Sequence, residues 1–399
     1  MPVPETLPDR PLRIARIIAR LNVGGPARHV VWLTQALEGP DFHTELITGV
    51  VPPGEDDMSD FAAARGVEPA IIPEMSREIS ARDLVTVWKL FRFFRRFRPD
   101  IVHTHTAKAG TAGRAAGLLY RLLTWRRVRF VHTFHGHVFH SYYGKLKTRF
   151  FLSVEKILAR LNTDVIVTIS EQQRHEIHDV YGVGRRGQFR VIPLGLELDA
   201  CKGIPSPRDG RTSVAIVGRL TAIKNHDMFL RVVASRPWPG DVRFVVYGDG
   251  ADRRMLEERA AALGVTDRVT FAGTRSAPEI YGAIDICALT SLNEGTPLTI
   301  IEAMTNGIPS ISTAVGGVVD VLGEVEERID GYEIRERGIT VPSNDDRAFA
   351  AGLARLLSDK ALRERLGERG REYARAAYSK ERLVADIIAL YRQLGRGSR

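Results

Sequence analysis

Short apolar runs alternate with amphipathic stretches along the first half of the chain. Arg13–Ala19 is rich in β-branched residues, a Gly-Gly pair follows it, and the stretch 27–37 has apolar positions at helical spacing. Four further runs share the strand-like pattern: Thr44–Val50, Ile101–His105, Phe130–Phe134 and Val165–Ile169. Strands separated by helices of this length predict βαβ units and a parallel sheet, and near-continuous apolar strands are typical of a sheet covered on both faces.

The alternation breaks off once and then resumes. The segment 190–197 (RVIPLGLE) and the stretch 203–210, rich in Pro, Gly and Asp, have the composition of a domain boundary. Strand-like runs then return: Ser213–Val217, Arg243–Tyr247, Val269–Phe271, Ile284–Leu289 and Ser310–Ser312. The last part of the chain is rich in Ala, Leu, Arg and Glu, which favours helix to its end. We therefore predict two Rossmann-like α/β domains, residues 1–195 and 196–375, and a helical segment, residues 376–399.

The composition agrees with two folded domains and indicates the cellular compartment. A chain of 399 residues with 44% hydrophobic and 26% charged residues is typical of a globular protein with more than one core. No apolar run reaches the ~18 residues needed to cross a bilayer, and the N-terminus lacks the apolar segment of a secretory signal. Two cysteines are too few for a disulfide framework. We therefore expect a cytoplasmic protein.

The positive charge is concentrated in the first half. Residues 82–160 contain 17 Lys and Arg against three acidic residues, a local excess of 14 in a chain whose net charge is +9. Such an excess indicates an anionic partner, either a membrane surface or nucleic acid. The basic residues of the whole chain are 48 Arg and 9 Lys, a ratio that a GC-rich coding bias would also produce. A basic surface without function therefore stays an open alternative.

The segment 291–307 (SLNEGTPLTIIEAMTNG) has the pattern of a loop that leads into a short helix. Its proline suits the first helical position, Thr296 would be the N-cap, and the final glycine would end the helix. Glu294 then lies in the loop and Glu302 on the second helical turn, ~10–12 Å apart at the ~1.5 Å rise of a helix. That is farther than the ~5–9.5 Å between the two carboxyl groups of a glycoside hydrolase.

Between the two glutamates, the amides of Leu298 and Thr299 open the helix N-terminus, where a phosphate binds readily. The order of acid, phosphate-binding turn and acid matches a ligand made of a sugar, a diphosphate and a ribose. A solvated loop acid and an ordinary helical acid are the alternative interpretation.

Two cations and a glycine pair lie in comparable loops. Arg219 and Lys224 follow the run 213–217, and their charges suit the same diphosphate. Gly24 and Gly25 separate a strand from a helix and let backbone amides approach a phosphate, although they form neither the dinucleotide fingerprint nor a P-loop. Alone, each of these signals is weak, since loops commonly contain such residues.

Histidines are concentrated near two neighbouring strand ends. Four lie within nine residues: His132, His135, His137 and His140. At a strand end they could bond sugar hydroxyls or transfer protons, and they could also bind a metal. No cysteine or acid adjoins them in the sequence to complete a metal site, so we expect no metal. His103, His105 and Lys108 follow another strand-like run and would lie beside them or play a structural role.

Together these motifs resemble those of the retaining glycosyltransferases of family 4, which have the GT-B fold. The resemblance covers nearly the whole chain and rests on these segments: GGPARH at 24–29, HTHTAK at 103–108, TFH at 133–135, VIPLG at 191–195, GRL at 218–220 with Lys224, GDG at 248–250 and the segment with both glutamates. It implies an α/β chain of the GT-B fold, two Rossmann-like domains whose parallel sheets face an interdomain cleft, with residues 376–399 crossing back onto the first domain. Many members have an aromatic Phe-Gly where this chain has Gly295-Thr-Pro297, a departure that concerns the sugar pocket rather than the chemistry.

The resemblance also implies a role for each site residue. Glu302 would bind the ribose hydroxyls, Glu294 a hydroxyl of the donor sugar, and His135 would lie beside the transferred sugar. His135 and Glu294 are thus the expected catalytic pair. The remaining donor-binding residues would hold the diphosphate and its surroundings: Gly24, Gly25, Arg219, Lys224, Gly295, Thr296, Pro297, Leu298 and Thr299. The acceptor would lie near His105, Lys108 and His137. Such enzymes retain the anomeric configuration and need no metal or other cofactor.

The activity that the resemblance implies is transfer of a sugar from a nucleoside-diphosphate sugar, with UDP as the favoured nucleotide, to a saccharide or lipid-linked acceptor in bacterial glycan or glycolipid synthesis. A nucleotide-sugar isomerase of the 2-epimerase type has the same fold but needs an acid–base set at the sugar C2, which we do not find. A non-catalytic module that binds nucleotide or nucleic acid would need interleaved exposed aromatic residues and a module signature. Both stay alternatives, and we expect no nucleic acid.

Two segments of the basic region alternate arginine with aromatic and aliphatic residues: 88–97 (WKLFRFFRRF) and 118–125 (LLYRLLTW). They could lie on the inner face of an anionic membrane, near a lipid-linked acceptor. Alternatively, each is a helix that buries one face while its arginines face water.

Overall fold

The computed structural model describes residues 10–52, 57–75, 82–135, 145–204 and 210–396. The chain divides into two compact units. The first is Met1–Gly195 with Lys380–Arg399, and the second is Leu196–Ser379. Among the helices of the described ranges, none combines the length and the apolar character that crossing a bilayer requires.

Parallel strands alternate with helices in the first unit. Its strands are β1 (Leu12–Ile18), β2 (Phe42–Thr48), β3 (Ala70–Ile71), β4 (Ile101–His105), β5 (Arg129–Thr133), β6 (Val165–Thr168) and β7 (Phe189–Val191). Its helices include α1 (Gly25–Leu37), α2 (Ser59–Ala63), α3 (Arg82–Phe97), α4 (Ala107–Thr124), α5 (Lys145–Leu161) and α6 (Glu171–Arg174), which a π-helical segment (His175–Val180) continues. The sheet has the order β3-β2-β1-β4-β5-β6-β7, so the strand order reverses between β1 and β4.

The second unit repeats this plan and adds an antiparallel edge. Its strands are β8 (Thr212–Val217), β9 (Val242–Tyr247), β10 (Val269–Gly273), β11 (Ile286–Leu289), β12 (Ser310–Thr313), β13 (Val325–Ile329), β14 (Tyr332–Arg335) and β15 (Gly338–Val341). Its helices are α7 (His226–Ala234), α8 (Arg253–Ala262), α9 (Ala277–Ala283), α10 (Leu298–Thr305), α11 (Val318–Leu322), α12 (Asp346–Ser358) and α13 (Lys360–Tyr378). The sheet has the order β10-β9-β8-β11-β12-β15-β14-β13 and reverses between β8 and β11.

A final helix, α14 (Lys380–Arg396), belongs to the first unit. Its buried residues Leu383, Ile387 and Tyr391 are spaced four residues apart and pack in one core cluster with Leu12 of β1 and Leu33 of α1. This spacing places them on one helix face. The apolar stripe of α14 is therefore part of the core of the first unit.

The prediction of two α/β domains with parallel sheets is confirmed. The antiparallel strands β13 and β14 were not predicted from the sequence. In β13 (VEERI) the three central residues are charged and exposed, so neither an apolar run nor an alternation marks it as a strand.

Candidate functional site

The loops that follow β8 and β11 leave the sheet of the second unit side by side, where the strand order reverses. In open parallel sheets, ligands bind beyond the carboxyl ends of the strands at this point. A 3-10 turn (Ala222–Lys224) lies in the first loop, and Glu294 lies in the second. Residues that the sequence analysis selected separately are thus brought to one edge of the sheet.

Lys224 and Glu294 form an ion pair across these loops. Lys224 Nζ lies 2.6 Å from Glu294 Oε1, and Ser291 Oγ donates a hydrogen bond of 2.5 Å to the same oxygen. The Glu294 side chain is only 9% exposed, whereas Lys224 is half-buried. Two donors on one oxygen hold the carboxylate in a single position. From the sequence, Lys224 and Glu294 are expected to bind different parts of one ligand; their contact with each other, and the role of Ser291, are not predicted by any motif.

Backbone contacts fix the first loop against the second. The hydroxyl of Thr290 bridges the carbonyl oxygens of Lys224 and Asn225, at 3.1 and 2.9 Å. The amide of Leu292 donates to the carbonyl of Ile223 at 2.8 Å. The position of Lys224 is therefore set by the residues that follow β11.

Arg219 is exposed at the start of the first loop. The glycine motif at 248–250 supports this loop: the amide of Leu220 donates to the carbonyl of Asp249 at 3.0 Å. A Cβ at Gly250 would lie 2.4 Å from the carbonyl oxygen of Leu220, so only glycine allows this approach. The motif thus positions the backbone that carries Arg219.

A glycine pair that the sequence analysis did not select, Gly316 and Gly317, supports the second loop. The amide of Gly317 donates to the carbonyl of Glu294 at 3.0 Å, and a Cβ at Gly316 would lie 1.8 Å from that carbonyl oxygen. Gly316 also has a φ of +55°, a conformation that strains other residues. A Gly-Gly pair soon after a strand-like run is the signal already used for Gly24 and Gly25, and it would have found this pair.

Gly316→Ala should displace the Glu294 loop, because the added methyl group meets its backbone. We expect the free energy of unfolding to fall by about 1–3 kcal/mol. Gly264→Ala is the control, since Gly264 also has a positive φ, of +68°, but a Cβ there meets no atom within 4 Å. Urea denaturation of both variants measures the difference, and equal losses would show that backbone strain alone is responsible.

Helix α10 begins at Leu298, so the predicted N-cap is wrong. Pro297 occupies the cap position and no side chain caps the helix. The Thr296 hydroxyl is buried and has no hydrogen-bond partner within the described part of the chain. The ψ of Pro297 is 84°, which is not helical and moves the first turn one residue later. The carbonyl of Pro297 accepts the first hydrogen bonds of the helix, so the amides of Leu298 and Thr299 stand at its N-terminus.

Glu302 lies on the second turn of α10 and is half-buried. Tyr281 Oη donates a hydrogen bond of 2.8 Å to Glu302 Oε2. Burial, and next to it the charge of Glu302, raises the pKa of Tyr281 well above its usual value, so the phenol remains a donor. No sequence signal indicated this contact, because Tyr281 belongs to α9, 21 residues earlier.

In the first unit, three histidines converge at the sheet edge where β1 and β4 end. His105 ends β4, His135 follows β5, and His29 lies in α1, which Gly24 and Gly25 begin. His105 Nδ1 lies 2.9 Å from His135 Nε2, and the ring centre of His29 lies 5.4 and 4.9 Å from the ring centres of His105 and His135. We call these three residues the histidine cluster. His29 is not among the predicted site residues, although the motif GGPARH contains it.

Burial keeps the histidine cluster neutral. It lowers the pKa of His135 to about 4 and the pKa values of His29 and His105 well below their usual value, and the neighbouring imidazoles and the guanidinium of Arg16 lower the last two further. A neutral imidazole offers one donor and one acceptor nitrogen. At neutral pH the cluster can therefore form hydrogen bonds with a hydroxyl group without carrying a positive charge.

Two other predicted residues of the first unit have structural partners. His103 is fully buried between the hydroxyl groups of Tyr391 and a β5 threonine, at 2.6 and 2.7 Å, and so ties α14 to the sheet. Lys108 Nζ forms an ion pair of 2.9 Å with Asp83. His137, predicted near the acceptor, lies outside the described residues.

Within the ranges that the structure describes, the histidine cluster is the one group with the spacing for a metal ion. One nitrogen from each ring lies within 4.8 Å of the others. Neutral imidazoles are suitable ligands. However, the charge of the buried Arg16 lowers the pKa values of His29 and His105, and a divalent cation would meet the same repulsion with no carboxylate among its ligands to offset it. Three imidazoles alone can bind zinc, so the spacing and the ligand type suit a metal ion, whereas the nearby guanidinium charge opposes one.

The chain matches two family models that meet near its middle. Residues 23–200 match the model described as Glycosyltransferase Family 4, and residues 202–373 match the model described as Glycosyl transferases group 1. The chain is 27% identical, over 88% of its length and 89% of the relative, to the UDP-Gal:alpha-D-GlcNAc-diphosphoundecaprenol alpha-1,3-galactosyltransferase of Escherichia coli. It is also 27% identical, over 74% of its length and 72% of the relative, to the D-inositol 3-phosphate glycosyltransferase of Corynebacterium urealyticum.

Solved structures share the fold over nearly the whole chain. HepE of Anabaena in complex with UDP superposes with a TM-score of 0.77 at 18% identity, over 96% of this chain and 100% of that protein. The sucrose-phosphate synthase of Thermosynechococcus elongatus superposes with a TM-score of 0.73 at 24% identity, over 96% of this chain and 99% of that protein. At these identities the likeness shows the fold.

Proposed function

Because the chain belongs to the glycosyltransferases of family 4 and has the GT-B fold, we propose that it transfers a sugar from a UDP-sugar to a saccharide or lipid-linked acceptor. The observation that carries this proposal is the set of groups that the second unit presents beyond β8 and β11: the Lys224–Glu294 pair, the first turn of α10, and Glu302. The name of the Escherichia coli relative contains UDP-Gal and an acceptor linked to diphosphoundecaprenol, and the HepE complex contains UDP. Both support this choice of donor and acceptor.

In this proposal each group of the second unit binds one part of the donor. Glu302 accepts hydrogen bonds from the ribose hydroxyls, and Tyr281 orients its carboxylate. The amides of Leu298 and Thr299 and the dipole of α10 face the diphosphate. Glu294 accepts a hydrogen bond from a hydroxyl of the donor sugar.

Arg219 and Lys224 neutralise the charge that develops on the leaving diphosphate. The bond between the anomeric carbon and the phosphate oxygen breaks, the acceptor oxygen bonds to the same face of that carbon, and the acceptor proton passes to the phosphate oxygen. Fixed cations thus supply the charge that a divalent metal supplies in other enzymes, so we propose a metal-independent reaction. The retained configuration needs no protein nucleophile in this scheme. Glu294, with Lys224 and Ser291 bonded to one of its oxygens, is a weak nucleophile, which supports that route.

His135 is the proposed contact of the first unit with the transferred sugar. Its pKa of about 4 leaves the imidazole neutral, so it can donate to or accept from a sugar hydroxyl. The rings of His29 and His105 pack against it and restrict its orientation. The amides at Gly24 and Gly25, at the start of α1, bind a phosphate in this proposal.

A thermal-shift panel of nucleotides and nucleotide sugars tests the donor assignment. UDP and UDP-sugars should raise Tm, because a ligand at a hundredfold excess over its Kd stabilises by about 2.7 kcal/mol, and ADP and GDP should raise it less. Glu302→Ala should lose this shift and the turnover, since two charge-assisted hydrogen bonds contribute on the order of 3 kcal/mol. Glu372→Ala, which removes an exposed glutamate of the same unit, should retain both. Transfer at the full rate by Glu302→Ala would refute the assignment.

The alternatives are not favoured, because the matched family models and the two relatives are transferases. Incubation with a UDP-sugar in the absence of any acceptor distinguishes a 2-epimerase from a transferase. We expect no epimerised nucleotide sugar in that mixture.

We further propose that the protein works in the cytoplasm as a peripheral protein on the inner face of the membrane. The lipid-linked acceptor in the name of the Escherichia coli relative and the basic character of residues 82–160 support this location.

A further inference from the structure

The outward face of α3 has large apolar residues where a helix of a folded core usually has polar ones. Leu84, Val85 and Trp88 are 76%, 43% and 53% exposed. A separate face of the helix is buried in the core of the first unit. It is formed by Leu90, Phe91, Phe94 and Phe97. The exposed apolar residues in the first two turns of α3 are therefore not explained by burial of one apolar face.

Positive charge accompanies these exposed apolar residues. Four arginines of α3 are exposed, Arg82, Arg92, Arg95 and Arg96, and its exposed Lys89 pairs with Glu74 at 2.6 Å. The one acidic residue of the helix, Asp83, pairs with Lys108. Trp and aliphatic residues beside several arginines are typical of a helix at a bilayer interface, where apolar side chains reach the acyl chains and arginines meet anionic headgroups.

We propose that this face of α3 is the surface by which the protein binds an anionic lipid bilayer. The proposal rests on the proposed transfer to a lipid-linked acceptor, and the place of α3 in the fold agrees with it. Lys108, in the first turn of α4, pairs with Asp83 at 2.9 Å and lies three residues beyond His105, the end of β4. The start of α3 therefore lies at the sheet edge that carries the histidine cluster. An acceptor whose lipid stays in a bilayer at that edge can bring its sugar to the histidines.

A second exposed apolar group lies at the opposite edge. At the end of α4, Leu122, Leu123 and Trp125 are 64%, 61% and 92% exposed, and two exposed arginines follow. Helix α4 has 18 residues, so at the rise of an α-helix its end lies ~27 Å from the edge that carries His105. A bilayer at that end would hold a lipid-linked sugar far from the histidine cluster. The two groups therefore provide a test and a matched control.

Flotation with vesicles of phosphatidylcholine and phosphatidylglycerol at low salt tests the surface. Wild-type protein should float, and Leu84→Ser/Trp88→Ser should bind at least about tenfold more weakly, because two interfacial side chains are lost. Leu122→Ser/Trp125→Ser should float like the wild type. Thermal unfolding checks that both double variants are folded, as expected for changes at exposed positions. Unchanged flotation of Leu84→Ser/Trp88→Ser, or loss of flotation in the control instead, would overturn the proposal.

Transfer assays separate this surface from the proposed function. Leu84→Ser/Trp88→Ser should act on a water-soluble acceptor at the wild-type rate and on a vesicle-embedded lipid-linked acceptor more slowly. If the wild type transferred sugar to neither acceptor, the proposed function would fail, while flotation would still decide the surface. A wild-type dimer by light scattering that Leu84→Ser/Trp88→Ser converts to a monomer, with no flotation of either protein, would show that this face binds a second copy of the chain instead.

Discussion

Lys224→Ala should lower kcat/KM for sugar transfer on the order of 10²–10³-fold, the loss typical of removing one preorganised group that stabilises developing charge. The ammonium group is held 2.6 Å from Glu294 Oε1, and Thr290 and Leu292 fix the backbone around it. A cation already in place needs no rearrangement when negative charge develops on the leaving phosphate. Steady-state kinetics with a UDP-sugar and an acceptor measure the loss, and binding of UDP should weaken as well.

Further variants separate the charge of Lys224 from its structural role. Lys202→Ala removes an exposed lysine of the same unit, which pairs with Asp199, and should leave the rate unchanged. Lys224→Ala also removes one of the donors to the buried Glu294 carboxylate, so its Tm should fall. Lys224→Met/Glu294→Gln removes both charges and should recover stability, because neither partner is then left as an uncompensated charge. The double variant should stay inactive, and transfer near the wild-type rate would refute the role of Lys224.

Much of the fold follows from local sequence patterns. The predicted strand Ile101–His105 has the observed bounds of β4: its β-branched residues follow Pro99 and Asp100, and the alanine-rich stretch that forms α4 comes after it. Parallel topology then accounts for part of the site as well. Since neighbouring parallel strands end at one edge, loops after β8 and β11 must lie together, and with them Lys224 and Glu294.

The partners of these residues depend on packing between distant parts of the chain. Lys224 and Glu294 are 70 residues apart, Tyr281 and Glu302 are 21 apart, and no local pattern states that they meet. The wrong N-cap prediction shows that a sequence pattern can also fail within one short segment. Thr296 before a proline is a good cap by type, but the backbone of Pro297 is not helical and takes the cap position itself. Patterns therefore place the elements, whereas packing decides the contacts of each side chain.

A fall in pH from 7 to 5 should destabilise the first unit more than the second. Burial lowers the pKa values of five described histidines in the first unit: His29, His103, His105, His132 and His135. In the second unit it lowers the pKa of His226, to about 4. The two units thus differ in how many of their histidines have a lowered pKa.

The direction of this change in stability follows from proton binding in the folded and unfolded chain. An unfolded chain binds a proton at histidine below its ordinary pKa of about 6.5, whereas folded His135 binds it only below a pKa of about 4. Its contribution to stability is therefore complete above pH 6.5 and is lost as the pH falls toward 4. At pH 5 the loss for His135 alone is about 2 kcal/mol. The other four histidines act in the same direction, against a total stability that is roughly 5–15 kcal/mol in most proteins.

Hydrogen exchange at pH 7 and pH 5, corrected for intrinsic exchange rates, resolves the two units. Amides of β4 and α14 should lose more protection than those of β8 and α12. His29→Asn should reduce the slope of the unfolding free energy against pH by about one bound proton, because an amide does not titrate. Only the histidines are distributed so unequally between the two units. Equal losses of protection in both units, or equal slopes in wild type and His29→Asn, would therefore mean that carboxylates rather than histidines control the acid response.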